Sequence, residues 1–185
     1  MEQIPMDDGL NYSPETRLRL SLATWIVQLH GAGVQVEHPG LVELCLALQS
    51  ATDATQGDAA ANALVDQIGT MLGDGVRGPD GVAAFALALY GQRLGTDMGT
   101  GTRAERTARI RRYQFGRRLP WMARIWERGP DGTVSPHWLI VESVTDEVTA
   151  MDLNPWNDID EERAVPVGDF HVLWELDGCT AMHVI

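Results

Sequence analysis

Residues 135–156 read SPHWLIVESVTDEVTAMDLNPW, and their pattern decides the fold class. His137 opens the apolar run Trp138-Leu139-Ile140-Val141. A polar turn follows around Thr145, Asp146 and Glu147, and a second run, Val148 to Leu153, ends at Asp152 and Asn154 before Pro155. Two apolar runs joined by a short polar turn predict a β-hairpin, in which the start of the first strand lies beside the end of the second. His137 would then neighbour Asp152 and Asn154. A histidine held by a carboxylate or amide keeps one tautomer and tolerates a charged ring, which is half of an acid–base apparatus. The same spacing also suits a strand-edge histidine beside a core tryptophan.

Downstream of the hairpin, strands are expected at 165–175 and 180–185, and upstream at 121–127; 136–143 and 148–153 are the hairpin itself. Gly129-Pro130-Asp131-Gly132 and Asp177-Gly178 supply the turns. Before Pro120 the period is helical. Ser13-Pro14 starts a helix with the stripe Leu18, Leu22, Trp25, Ile26 and Leu29. His38-Pro39-Gly40 starts a second, Ala59–Leu72 forms a third, and Pro79-Asp80-Gly81 opens a fourth that runs to Leu94. Residues 95–101, rich in Gly and Thr, read as a flexible segment, and a fifth helix covers 103–114. The expectation is one α+β domain: an irregular lead at 1–12, a mainly helical part at 13–118, and an antiparallel β-meander at 119–185.

With 185 residues and 44% hydrophobic content the chain can bury an ordinary core. No apolar run is long enough to span a bilayer, and the acidic opening MEQIPMDDGL lacks the form of a secretory signal. A cytoplasmic location without membrane partners is expected. Cys45 and Cys179 are far apart and fit neither a disulfide framework nor a zinc site, so no metal or cofactor is expected. The net charge is −12, all 14 basic residues are arginine, and residues 102–128 carry nine of them. Overall acidity argues against a nucleic-acid partner. The arginine island, including Arg109 and Arg112, suits an acidic surface instead: the chain's own, that of a second copy in a homo-oligomer, or that of a partner protein.

Five features recur in a fixed order from Gly73 onward. A Gly-rich turn (Gly73-Asp74-Gly75) precedes a small-residue helix at 82–94. Arg118-Leu119-Pro120-Trp121-Met122 has the form basic-Leu-Pro-apolar, and His137-Trp138 opens a His-aromatic strand. Met151-Asp152-Leu153-Asn154-Pro155-Trp156 is an Asp-Pro-like segment, and Val165-Pro166-Val167-Gly168-Asp169-Phe170 closes the series. This order resembles the papain-like cysteine peptidase domains of the bacteriocin-processing, double-glycine-leader type, which are bacterial. The resemblance covers about residues 73–175. It implies a papain-like fold and catalytic roles for His137 and for either Asp152 or Asn154.

The family's nucleophile is a cysteine at the start of the first long helix, where the helix N-terminus and an imidazolium favour thiolate. Here that start is Asn11-Tyr12-Ser13-Pro14-Glu15, without a cysteine. Ser13 has the right address, but N-capping explains it fully. Cys45 lies on an apolar helix face, where a thiol is ordinarily a small hydrophobe. Cys179 and His183 could form a second thiol–imidazole pair. Three functions follow: a catalytically degenerate papain-like protein that binds a peptide or protein partner near His137, with Trp138 and Trp156 in an aromatic groove; an active cysteine peptidase-like hydrolase or amidase using Cys45 and His137; or an interaction module with an arginine-rich docking helix.

Overall fold

Four of the helices begin at a side chain that caps them. Ser13 Oγ accepts the Thr16 N–H at 3.2 Å, His38 Nδ1 that of Leu41 at 3.2 Å, and Asp53 Oδ1 that of Gln56 at 2.9 Å. Thr102 and Glu105 form a reciprocal capping box. The computed structural model describes residues 13–73, 78–128, 132–151 and 162–185. In chain order these form α1 (Pro14–Gly31), α2 (Pro39–Ser50), α3 (Ala54–Leu72), α4 (Pro79–Tyr90), β1 (Leu94–Gly95), α5 (Arg103–Arg117), β2 (Trp121–Arg128), β3 (Val134–Val144), β4 (Glu147–Met151), β5 (Glu162–Pro166), α6 (Val167–Glu175) and β6 (Ala181–Val184). The Asp53 cap starts α3 five residues before the expected Ala59, so residues 54–58 are helical as well. α4 stops at Gly91, whose φ of 55° suits glycine, rather than at Leu94.

The expected α+β class is what forms, with an antiparallel sheet in the order β1-β6-β2-β3-β4-β5. The hairpin is present: β3 pairs with β4, Val141 opposite Ala150 and Ile140 opposite Met151. Three expectations fail. The strand expected at 165–175 is mostly helix α6, with only Val165 and Pro166 in β5. Its buried residues Phe170, His171 and Trp174 follow helical spacing, which a short apolar run hides because it fits either period. The sheet is also no simple meander, since β6 returns beside β2 with Met122 opposite Met182. Nor is 95–101 a loose tether. It holds β1 and a short 3-10 turn at Asp97–Gly99, and a Cβ on Gly99 would lie 1.8 Å from the Cys179 carbonyl oxygen.

The sheet is apolar on both faces. Met122, Trp138, Ile140, Met182 and Val184 belong to the core shared with α1–α4. The alternate residues Trp121, Ala123, Leu139, Val141 and Ala181 belong to a second core with Ile110 of α5 and Phe170 and Trp174 of α6. Period-two alternation thus feeds two helical layers from one set of strands. In the first core the fully buried Trp25 packs edge-on against Tyr90, ring centroids 5.4 Å apart, and donates to the Pro120 carbonyl at 3.1 Å, tying α1 to the start of β2. In the second, Arg106 is 7% exposed, donates to the Gly101 carbonyl, pairs with Glu175 and lies over the Trp174 ring. Trp25→Ala is expected to destabilise the protein by about 3–5 kcal/mol, read as a lower urea midpoint with an unchanged slope.

Candidate functional site

The first turns of α1 and the first residues of β3 enclose a cavity of about 180 Å³. Pro14, Arg17, Leu18 and Ser21 form its helix side; Arg124 and residues 135–138 form its sheet side. α1 is clamped along β3 at both ends of their contact. Ser21 Oγ donates to the Trp138 carbonyl at 3.3 Å, and Gln28 Nε2 donates to Glu142 Oε1 at 2.6 Å. Arg124 is anchored from the other side by Asp177, at 2.7 Å. His137 borders the cavity and is buried, 8% exposed. In register it faces Ile125, so alternation groups it with the second-core positions Leu139 and Val141, while Trp138 and Arg124 share the α1 side.

Ser13, at the head of α1, spends its hydroxyl on the N-cap, accepting from Thr16 N–H and lying 3.0 Å from Thr16 Oγ1. Asp152, Asn154 and Trp156 lie outside the described residues. Cys45 is fully buried in the first core, away from the cavity wall, and burial pushes its thiol pKa up, the opposite of an activated thiol. Trp138 is 5% exposed and borders both this cavity and a wider hollow of about 620 Å³ between α4, the 96–101 segment and the 178–182 turn.

The two arginines expected to bind a partner separate. Arg109 is a structural clamp: its Nη1 donates to the carbonyls of Asp97, Met98 and Thr100 at 3.0, 3.2 and 2.7 Å. Arg112 is exposed. Cys179 and His183 do not form a thiol–imidazole pair. Cys179 sits in the turn before β6 at a φ of 60°, burial raises its pKa, and the charges acting on it are those of Arg106, Glu175, Arg103 and Asp177. His183 instead packs edge-on against Tyr113, centroids 5.1 Å apart, with Asp97 Oδ1 3.5 Å from its Nε2.

Sequence reasoning missed Arg17, Ser21 and Arg124 as cavity residues. Arg17 and Ser21 stand four apart beside the Leu18/Leu22 stripe, and Arg124 is a lone charge among Met122, Ala123 and Ile125. It also missed the cluster in which Arg103 and Arg106 pair with Glu175, and in which His171 Nε2 lies 2.7 Å from Thr107 Oγ1. His171 was expected in a strand, where its approach to α5 is invisible. Among the described residues no group of three or more His, Cys, Asp or Glu side chains is placed to hold a metal ion, and no helix is long and apolar enough to cross a membrane. No family model, curated protein or solved structure matches the chain.

Burial holds His171 and His183 below the ordinary histidine value of 6.5; Arg106 and Arg103 add to the effect at the first and Arg109 at the second, while Glu175 and Asp97 oppose it. The unfolded chain therefore takes up protons first as pH falls, and native stability, full above the unfolded value, declines below it. Urea midpoints are expected to drop as pH is lowered from about 7 to about 5.5. A His171→Gln/His183→Gln variant should lose less over that interval.

Proposed function

We propose that this chain is a catalytically degenerate member of the papain-like cysteine peptidase superfamily, of the bacteriocin-processing kind, that binds a peptide or protein segment in the cleft beside His137. One observation carries the reading: the start of the first long helix and His137 border a single cavity, and its lining contains no thiol. A papain-like peptidase needs a helix N-terminus and an imidazole around one nucleophile. Here the helix start carries Ser13, engaged as a cap, and the lining hydroxyl of Ser21 is engaged with the Trp138 carbonyl. A binding role keeps the concave, mostly apolar shape with a few polar groups, Arg17 and Arg124 among them, to orient an occupant. The alternative of an active hydrolase using Cys45 has burial and a raised thiol pKa against it.

Two measurements test this. Iodoacetamide at neutral pH should modify Cys45 in the unfolded chain and leave it unmodified in the native one. Rapid native labelling that His137→Ala abolishes would establish the hydrolase instead. On an array of synthetic peptides, those retained by the wild-type protein should bind about tenfold more weakly to Arg17→Trp, which fills the cavity from its helix side. An array that retains no peptide, or retention indifferent to Arg17→Trp, would remove the binding role.

A further inference from the structure

We infer that the C-terminal end of α5 is a docking surface for an acidic segment of a partner protein that carries one apolar side chain. Phe115 is 85% exposed there, the most exposed of the large hydrophobic side chains among the described residues. Arg111 and Arg112 stand four and three positions before it, the spacings that bring side chains together on one helix face, and Arg118 caps the same helix end. Beside Phe115 lies a depression of about 400 Å³, bordered by Arg111, Gln114, Val144, Thr145 and Asp146. An aromatic ring inside an arginine rim is the residue pairing that dominates protein interfaces.

The internal architecture uses only part of the arginine set. Arg103 and Arg106 pair with Glu175, and Arg109 holds the 97–100 carbonyls. Arg111 donates to the Thr145 carbonyl at 2.9 Å, and its exposed contact with Asp146 is 3.5 Å long, too weak to consume its charge. The side chains of Arg112, Arg117 and Arg118 engage no hydrogen bond or ion pair among the described residues and are exposed. Arg118 caps the helix in the left-handed region, φ 53° and ψ 32°. Glycine adopts that conformation without strain, and here an arginine occupies it instead.

Charge selects the occupant. The chain carries −12 overall, so an extended polyanion such as a nucleic acid would be repelled by most of the surface. A short acidic segment meets only the local arginine field, while its apolar residue covers Phe115. This surface is distinct from the His137 cavity, since none of its residues lines that cavity.

The test uses a fluorescein-labelled synthetic Asp/Glu peptide with one central leucine, titrated with the full chain and followed by anisotropy. Saturable binding is expected, weakening as salt rises from about 50 to about 300 mM. Phe115→Ser, the Arg112→Glu/Arg118→Glu double variant, and replacement of the peptide's leucine by serine should each weaken it about fivefold or more. The variant side chains are exposed, so their thermal unfolding should match the wild type, and His137→Ala should bind the peptide normally. Absence of saturable binding, indifference to these substitutions, or loss of binding in His137→Ala would overturn the inference. Concentration-dependent dimers that Phe115→Ser abolishes, in a protein that ignores the peptide, would name a second copy as the occupant and equally overturn it.

Discussion

A β-sheet whose central strands are apolar on both faces has to be covered twice, and most of this architecture follows from that constraint. β2 and β3 send Met122, Trp138 and Ile140 one way and Trp121, Leu139 and Val141 the other. The helices that precede the sheet cover the first face. The second face needs its own layer, which α5 and α6 provide through Ile110, Phe170 and Trp174. Apolar burial at roughly 25 cal/mol per Å² makes either face too costly to leave wet, so the two layers stand or fall with the strands between them.

The second layer is small and is fastened by polar as well as apolar contacts. Arg106 reaches from α5 to Glu175 at the end of α6 and to the Gly101 carbonyl, and Arg109 gathers the carbonyls of the preceding turn. These groups lock together the 96–101 and 177–180 turns, where Gly99 meets the Cys179 carbonyl too closely for any larger residue. Buried charge of this kind costs desolvation and returns geometry. What it fixes is the floor of the wide hollow and the path by which β6 comes back beside β2. The arginine island is therefore divided by location: its N-terminal members are internal fasteners, and its C-terminal members face solvent around Phe115.

The cavity beside His137 arises from the same constraint on the first face. α1 is held along β3 by Ser21 and Gln28, and where the helix begins and the strand emerges, packing is incomplete. The head of α1 and the backbone around His137 border one small space there, while the two thiols of the chain are buried elsewhere with raised pKa values.

Much was legible locally. Ser13-Pro14, His38-Pro39 and the Thr102–Glu105 box mark helix starts because capping is a short-range hydrogen bond between neighbours. The hairpin at 135–151 is legible because its two apolar runs flank a polar turn. The segment 165–175 was not, because the nine residues 167–175, with apolar side chains at 167, 170, 172, 173 and 174, satisfy strand and helix alike, and only the uncovered second face of the sheet selects the helix. By itself, the sequence determined the class, the starts of most helices, the 135–151 hairpin and the absence of a cysteine at the head of α1, all of which depend on neighbours within a few residues. Only the tertiary structure decided which arginines are buried fasteners, that β6 joins the far side of β2, and that Cys45 lies in a core while His137 borders a cavity. Those outcomes depend on contacts between residues as far apart as Ser21 and Trp138, and burial, which sets the fate of each charge and thiol, exists only once such contacts have formed.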